Sequence, residues 1–465
     1  MDAITYGQLV LMLGDTTMPV FQLVIRENPG SHGILSATLA VEEGTKDYLL
    51  YEENSNVALF IAQGKELKPL FFGIVTDMSV KTKGKQCTIC LQAVTESYQM
   101  DLFAQNRSFQ DTAFTSHQLV EKVMEPYKEQ SKVLFSIPDE ELRQIMVQYQ
   151  ETDWAFLNRI LSRYGIRAYI DSAKSGICLR AGFMDTEEDA DWDHLPYKVI
   201  RDTASVDVKR TLKGQLCYEV EAYDIFPLGE KVRFHNQDLY IGKITRSIQQ
   251  GLLVSSYSLY FQEGLMVPVQ KNPYLSGVSI NGTVAGVNRN TVQVKLETDV
   301  LKKCKKQYFF PFSTVAASPD GSGWYCMPKA GDRVRIFFPT DDESEGYAIA
   351  NIMGESAPAQ GSPMENPDAK DITMPDGKAV KFVSGGIQLA VGEDKGTVTL
   401  TNDGKAEIRT DEEIVISAAE AVYFVAEKTM DVTAGTQIQI ISDAGGSMCM
   451  TGDTVQIQAS AIENN

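Results

Sequence analysis

The chain has 465 residues, of which 43% are hydrophobic, and its 62 Asp and Glu against 43 Lys and Arg give a net charge of −19. This length predicts several domains, and the negative charge argues against nucleic acid as the principal partner, because binding to phosphates requires clustered Lys and Arg. No apolar run approaches the roughly 18 residues of a membrane span, so no stable membrane insertion is expected. The first residues lack the basic and then apolar order of a signal peptide, so we expect synthesis in the cytoplasm without one.

Residues 1–105 alternate strand-like runs with turn residues, which predicts a barrel or a sandwich. Two of these runs, 70–80 and 86–94, flank a Lys-Gly-Lys turn and predict a hairpin. Cys87 and Cys90 in the second run have CxxC spacing. Residues three apart on a strand point to opposite faces, so we expect neither a shared disulfide nor a shared metal ion.

Two helices are predicted next. Thr115 or Ser116 is expected to cap the first helix, and Thr152 is expected to cap the second, which ends at Gly165. Trp154 lies on the apolar stripe of the second helix, and we interpret that stripe as a packing face. Further strands are expected between residues 217 and 261.

Residues 278–353 contain six short strand-like runs separated by turns, which predicts a small closed barrel. The runs are 279–287, 291–297, 307–312, 323–327, 332–338 and 347–353. Four lysines occupy one loop of this region: Lys302, Lys303, Lys305 and Lys306. We interpret them as a solvated loop or a contact with an acidic neighbouring chain, with nucleic acid as the weaker alternative. Residues 355–370 are rich in Pro, Gly, Ser and Ala and are interpreted as a linker.

The chain then repeats every eight residues from Thr397 to Ser442, with strand-like alternation inside each repeat. Bulky apolar residues fill two columns of the repeat, small residues fill a third, and the pattern continues loosely to residue 457. The predicted core consists of Val398, Leu400, Ile408, Ile414, Ile416, Val422, Phe424, Met430, Val432, Ile438, Ile440, Met448, Met450, Val455 and Ile457. This pattern predicts a β-solenoid in which three octads form the three sides of a prism.

Two kinds of prism satisfy this period. A single chain can stack on itself, or three chains can intertwine. The sequence favours three chains, because each octad supplies only two bulky inward residues and an unshared prism leaves edges that need caps. The outside is expected to be acidic, since residues 371–465 hold 15 Asp and Glu against 6 Lys and Arg.

Catalytic motifs are absent from the sequence. It contains no GxSxG elbow, Walker loop, GxGxxG fingerprint or HExxH pair. We therefore expect a protein that is not an enzyme, with no cofactor and no metal site.

Three stretches resemble one known family. The run 147–159 is similar to the signature of the VgrG and phage late control D family, the hub and spike proteins of contractile injection machines. Residues 106–111 and 228–244 are similar to the same family, and the likeness covers essentially the whole chain in the family's domain order. The signature residues are Tyr149, Glu151, Thr152, Asp153, Trp154, Phe156 and Leu157.

The resemblance implies a mainly β protein with barrel-type hub domains and a few helices, an OB-fold barrel, and a C-terminal intertwined triple-stranded β-helix in a homotrimer. The implied domains are a hub with two tube-like β-barrels at 1–275, the OB-fold at 276–354, the linker at 355–370 and a β-helical spike at 371–465. Three chains would present six barrels and so adapt a sixfold tube to a threefold needle. The linker is too short for the lysozyme domain that some family members carry there.

The implied function is a structural central spike and baseplate hub that punctures a target envelope. Its expected partners are tube and baseplate proteins at the hub, and a PAAR-type tip protein, with possible effectors, at the C-terminal end. We expect assembly into a phage tail-like particle that acts outside the producing cell or in a target cell. The residues expected to bind the tip protein are Ala459, Ser460, Ala461, Ile462 and Asn465.

The alternative function is a trimeric phage tail fibre that binds or cleaves a surface glycan. Such a fibre would need an aromatic-lined groove. Tyr423 and Phe424 are the only aromatic residues after Phe382, which disfavours this alternative.

Overall fold

Burial along the first strand alternates at every residue, as expected for a sheet with one face on a core. In β1 (Leu9–Leu13) the first, third and fifth side chains are buried. The computed structural model describes residues 3–41, 56–84, 86–184, 191–201, 211–301, 303–315, 325–349, 370–374, 376–392 and 395–462. The chain divides into two compact units, Met1–Met353 and Gly354–Asn465.

Six antiparallel strands close a barrel at the start of the chain. After β1 these are β2 (Thr16–Glu27), β3 (Ile34–Val41), β4 (Asn56–Gln63), β5 (Glu66–Lys83) and β6 (Gln86–Val94). Their order is β1-β4-β5-β6-β3-β2, and β2 pairs back with β1, which closes the ring around an aliphatic core. β5 and β6 form the predicted hairpin, and both Cys87 and Cys90 are free thiols.

The two predicted helices follow. The elements of this part are β7 (Ala104–Phe109), α1 (Ser116–Met124), β8 (Ser131–Phe135), β9 (Met146–Thr152) and α2 (Asp153–Ser162). Both helices start at predicted caps, since the Thr115 side chain accepts from the Gln118 N–H and the Thr152 side chain accepts from the Ala155 N–H. The second helix ends at Ser162, before Gly165, whose φ of 75° lies in the left-handed region.

The strands between Tyr169 and Tyr260 extend the first barrel. They are β10 (Tyr169–Ile170), β11 (Ile177–Ala181), β12 (Tyr197–Arg201), β13 (Leu216–Ala222), β14 (Lys231–Phe234), β15 (Gln237–Gln249) and β16 (Leu252–Tyr260). β15 pairs with β2, so β12–β16 join the barrel in one eleven-stranded sheet, while β10, β11 and β8 form a small sheet of their own. Among the described residues β12–β16 do not close a second ring, and residues 202–210 lie outside the described part.

Short helical elements link these strands. One is the α-helical turn α3 (Gln262–Leu265). The others are 3₁₀ turns at Tyr6–Gln8, Glu96–Asp101, Glu125–Gln130, Lys213–Gln215, Pro273–Leu275 and Glu343–Glu345. No helix within the described ranges is long and apolar enough to cross a membrane.

A second, smaller barrel follows in the first unit. Its strands are β17 (Val278–Asn288), β18 (Thr291–Leu296), β19 (Phe310–Pro311), β20 (Arg333–Phe338) and β21 (Tyr347–Ile349). The sheet order is β19-β18-β17-β20-β21. A parallel bridge between Phe312 and Ala348, with the Ser313 N–H donating to the Ala348 carbonyl at 2.8 Å, closes the ring.

Two of the six strands predicted here differ from the structure. Residues 325–327 of the predicted strand 323–327 form no strand, and residues 323–324 lie outside the described part. The predicted strand 307–312 is reduced to Phe310–Pro311. The reason is that the preceding backbone pairs with residues 110–112 instead: the Tyr308 N–H donates to the Gln110 carbonyl, and the Lys306 carbonyl accepts from the Thr112 N–H.

The second unit is described from residue 370 onward, so the rest of the predicted linker lies outside the described part. Its strands are β22 (Lys370–Thr373), β23 (Ala379–Val383), β24 (Gly386–Val391), β25 (Gly396–Thr401), β26 (Ala406–Thr410), β27 (Gln437–Ile441), β28 (Ser447–Thr451) and β29 (Thr454–Gln458). β22–β26 form one antiparallel meander and β27–β29 form another.

The tail differs from the prediction of one strand in every octad. Residues 411–436 form neither helix nor strand, and all of them are exposed. The physical reason is pairing: a strand needs a neighbour for its N–H and C=O groups. Tight turns supply an antiparallel neighbour to β25 and β26, whereas no described segment of the same chain pairs as a strand with residues 412–436.

Candidate functional sites

The signature helix α2 is fixed at its N-terminus by two hydroxyl contacts. The Thr152 Oγ1 accepts from the Ala155 N–H at 3.1 Å and donates to Asp101 Oδ1 at 2.5 Å. The helix therefore begins where the sequence places it, and its start is tied to the 3₁₀ turn that follows the first barrel.

Asp153, the first residue of this helix, is buried with a complete set of donors. Its carboxylate pairs with Arg107, accepts from Gln148 Nε2 at 2.9 Å and accepts from the Tyr127 hydroxyl at 3.1 Å. Burial and the neighbouring Asp153 charge raise the pKa of Tyr127. Because Arg107 and Gln148 donate to Oδ1 and Tyr127 donates to Oδ2, the buried Asp153 carboxylate supports the structure and offers no open acid or base.

Arg159 connects the signature helix to the small barrel. Its guanidinium holds Glu151 at 2.9 Å, pairs with Glu343 and donates to the Val147 carbonyl at 2.7 Å. All three ionisable side chains are buried. Burial raises the pKa of Glu151, and Arg159 acts in the opposite direction. The trio is a structural clamp between hub and barrel.

The aromatic signature residues pack as predicted. The Trp154 indole N–H donates to the Gly30 carbonyl at 3.2 Å, and its ring lies 4.5 Å from that of His32. Phe156 stacks on Phe109, and both are almost completely buried. Gly30 has a φ of 71°, and a Cβ there would lie 2.7 Å from the Arg167 side chain, so the close approach needs glycine.

His32 stands between a serine and an aspartate. Its Nδ1 lies 2.8 Å from Ser97 Oγ and its Nε2 lies 3.4 Å from Asp101 Oδ2. Burial lowers the pKa of His32, and Asp101 opposes that shift. Ser97 is completely buried and also contacts Thr95, so the arrangement gives a substrate no access to the hydroxyl. It is a packing contact.

Two aspartates, the buried Asp111 and the half-buried Asp299, connect the lysine loop and the end of β18 to residues 108–112. Asp299 accepts from Ser108 Oγ at 2.5 Å and from Gln110 Nε2 at 2.6 Å, and burial raises its pKa. Asp111 accepts from the backbone N–H groups of Lys305 at 2.7 Å and Lys306 at 3.1 Å. Of the other two lysines of the predicted basic loop, Lys303 is exposed and Lys302 lies outside the described residues.

The predicted core of the tail is open in the single chain. Most of its side chains are between 39% and 65% exposed, and only Ile438, Met448 and Met450 are half-buried. In the described tail the only buried apolar residues are Ala379 and Ala390. The strand register still brings the columns together, since Val398 faces Ile408 and Leu389, and Met448 faces Ile440 and Ile457.

The residues predicted to bind a tip protein follow the last strand. Ala459, Ser460, Ala461 and Ile462 are exposed, and Asn465 lies outside the described residues. No cluster of three or more His, Cys, Asp or Glu with metal-binding geometry occurs among the residues that the structure describes.

Sequence reasoning missed Arg107 and Glu343 as partners of the signature helix. Arg107 lies inside residues 106–111, one of the stretches similar to the family, so the sequence contained a signal that this residue could contact the signature helix. Glu343 gave none, because 184 residues separate it from Arg159 and only the folded chain brings them together.

Known baseplate and type VI secretion proteins resemble this chain in sequence over one region and in fold over most of its length. Residues 53–196 match the model of the family described as phage tail baseplate hub (GPD). The match confirms the family that the signature run resembles.

Solved structures share the fold. The Escherichia coli c3393 protein, described as a type VI secretion component similar to the T4 tail proteins gp27 and gp5, has a TM-score of 0.51 at 15% identity over 74% of this chain and 99% of its own. A chain of the Francisella PdpA–VgrG complex, half-lidded, has a TM-score of 0.55 at 8% identity over 86% of this chain and 87% of its own. None of the curated proteins matches the sequence.

Proposed function

We propose that three copies of this chain form the central spike and hub of a contractile injection machine. Residues 1–275 would form the hub, 276–354 an OB-fold collar, 355–370 a linker and 371–465 a needle. The hub would adapt a sixfold tube to a threefold needle, and the needle would puncture the target envelope.

The exposed columns of the tail carry this proposal. Phe424 is 65% exposed and Ile416 is 59% exposed, although both occupy inward positions of the repeat. Exposed apolar surface of this extent marks an interaction site, and burial stabilises by about 25 cal/mol per Å². Strands from two further copies would cover these columns and pair with residues 411–436.

The intertwined arrangement also supports a mechanical role. Each strand would be hydrogen-bonded on both sides to strands of other chains, so bending the needle would require many bonds to break together. The acidic exterior would keep the needle soluble and repel anionic surfaces, so penetration would depend on mechanical force.

The strand order of the small barrel supports the OB-fold assignment. A five-stranded ring in which the third strand closes in parallel on the fifth is the connectivity expected of that fold. Here the residues after β19 close on β21 in that way.

The decisive experiment is the mass of the full chain in solution. Light scattering should give three times the chain mass of 51.5 kDa. A well-folded single copy at micromolar concentration, with its tail intact, would contradict the needle and the symmetry adaptation together.

The end of the needle is proposed to bind a conical tip protein of the PAAR type. A blunt triangular end would leave unpaired strand edges, which proteins normally cover. Deletion of residues 451–465 should abolish binding of a purified tip protein to the trimer. Unchanged binding after this deletion would place the tip protein elsewhere.

We also propose that the protein has no enzymatic activity and acts in a phage tail-like particle. The described residues include no open pair of catalytic groups, and the matched family is a structural hub. Release of reducing ends from a surface glycan by the purified trimer would instead support the tail-fibre alternative.

A further inference from the structure

A basic patch stands on the face where the small barrel meets the hub. It consists of Arg143, Lys303, Lys305 and Lys306, all exposed. No ion pair neutralises any of these four side chains in the described part of the chain. In a chain with a net charge of −19, such a patch is a local exception.

The backbone beneath this patch is held in place. Asp111 is buried and accepts from the N–H groups of Lys305 and Lys306. The Thr112 N–H donates to the Lys306 carbonyl at 2.9 Å, and the Arg143 N–H donates to the Thr112 carbonyl at 3.1 Å. Three of the four cations, Arg143, Lys305 and Lys306, therefore project from a backbone that is held in place, and ordering their side chains against a partner costs mainly side-chain entropy.

An acidic loop, Asp139–Glu141, is anchored to the same segment of the hub. The Ser116 N–H donates to the Glu140 carbonyl at 2.9 Å, and Glu141 forms a bridge with Thr115. Asp139 lies against His117, whereas Glu140 and Glu141 are exposed and form no ion pair within the described ranges.

The two groups are close together but do not neutralise each other. Their anchors, Thr112 and Thr115, are three residues apart, so the Cα atoms of the two anchors lie within roughly 10 Å of each other. Two complementary patches at this separation on one chain can form a closed ring in a threefold assembly, each copy giving its cations to the next copy's carboxylates.

We infer that this surface is an interface between copies of the chain, in which the basic patch of one copy docks on Glu140 and Glu141 of the next. The inference rests on the threefold assembly proposed above and identifies hub contacts that act in addition to the tail. Ion pairs at such an interface set the register of neighbouring copies more than they set affinity.

Zero-length carbodiimide cross-linking of the full-length assembly tests this interface, because it joins a carboxylate to a lysine only at direct contact. We expect covalent dimers and trimers of the wild-type chain on denaturing gels, with links between Glu140 or Glu141 and the lysines of the patch. The K303E/K305E/K306E variant should lose these bands. Adding E140K and E141K to that variant should restore them, because the charges are then exchanged.

The matched control is K65E/K81E/K83E, which reverses three exposed lysines of the first barrel. The control should keep the cross-linked bands. The mass of every sample is measured before cross-linking, so that loss of contact is distinguished from loss of assembly.

Three results would overturn the inference, and the mass measurement separates them. A wild-type trimer whose bands persist in K303E/K305E/K306E would overturn the interface and leave the proposed function intact. A monomeric wild-type chain would overturn both. Patch-dependent binding of DNA by a trimer without interchain links would assign the patch to a polyanion.

Discussion

At the scale of single residues, the signature run 147–159 is stabilised by the buried, charged side chain of Arg159. Arg159 holds carboxylates from two distant parts of the chain, Glu151 and Glu343. A buried arginine of this kind requires both partners, because an unpaired charge in the interior is strongly destabilising.

We predict that Glu343→Gln lowers the free energy of unfolding of the first unit by about 2 kcal/mol, the cost of weakening a buried charged hydrogen bond. The matched control is Glu345→Gln in the same 3₁₀ turn, where the side chain is exposed. Chemical denaturation should show a change within about 0.5 kcal/mol for the control. Equal effects of the two substitutions would show that the Arg159–Glu343 pair does not stabilise the first unit.

His32 predicts a pH dependence. Burial holds its pKa below the ordinary value of about 6.5, so the unfolded chain binds the proton more readily. Its contribution to stability is complete above that value and declines as the pH falls from about 7 to 5, by at most about 1.4 kcal/mol per unit.

The measurement compares wild type with His32→Gln. The melting-temperature advantage of wild type should shrink between pH 7 and 5, because the variant has no group to protonate there. His194→Gln, at a side chain that is 67% exposed, is the control and should follow wild type. A constant difference between wild type and His32→Gln would contradict the prediction.

At the scale of elements, the start of α2 depends on one hydroxyl group. Thr152 both caps the helix and contacts Asp101. We predict that Thr152→Ala lowers the free energy of unfolding by about 1 to 2 kcal/mol. Thr152→Ser should lose much less stability, because serine keeps the oxygen that caps the helix. Denaturation of both variants checks this. A serine variant as unstable as the alanine variant would show that the methyl group of Thr152, and not its hydroxyl group, stabilises the start of the helix.

At the scale of the whole molecule, the apolar columns of the tail are uncovered in the single chain, and the proposed trimer would bury them. Phe424 and Val425 are neighbours and are both exposed in the single chain, but only Phe424 belongs to a core column. We predict that Phe424→Asp lowers the thermal stability of the trimeric tail or prevents its assembly, because three carboxylates would then enter the prism. Val425→Asp, on the outer face, should assemble normally.

Sedimentation velocity and tail melting distinguish the two variants. The expected outcome is a trimer for Val425→Asp, and for Phe424→Asp either a single copy or a trimer that melts at least several degrees lower. Indistinguishable behaviour would show that the repeat does not define the inside of the needle.

Much of the fold could be read from local pattern. The β5–β6 hairpin and both helix caps lie where the sequence predicts them, because turn chemistry and capping depend on residues a few positions apart. The strand predicted at 307–312 was shortened, because backbone groups near Lys306 bond to the hub, and local pattern contains no information about that partner.

The sequence by itself determined the strand-rich character, the capped signature helix and the eight-residue rhythm of the tail, since each follows from the spacing of side chains along one segment. Only the tertiary structure decided that β2 pairs with β15, that Arg159 meets Glu343 and that Asp111 holds the lysine loop. These contacts join residues far apart in the chain, and the free energy of burying a charge or closing a ring depends on neighbours that no local pattern specifies.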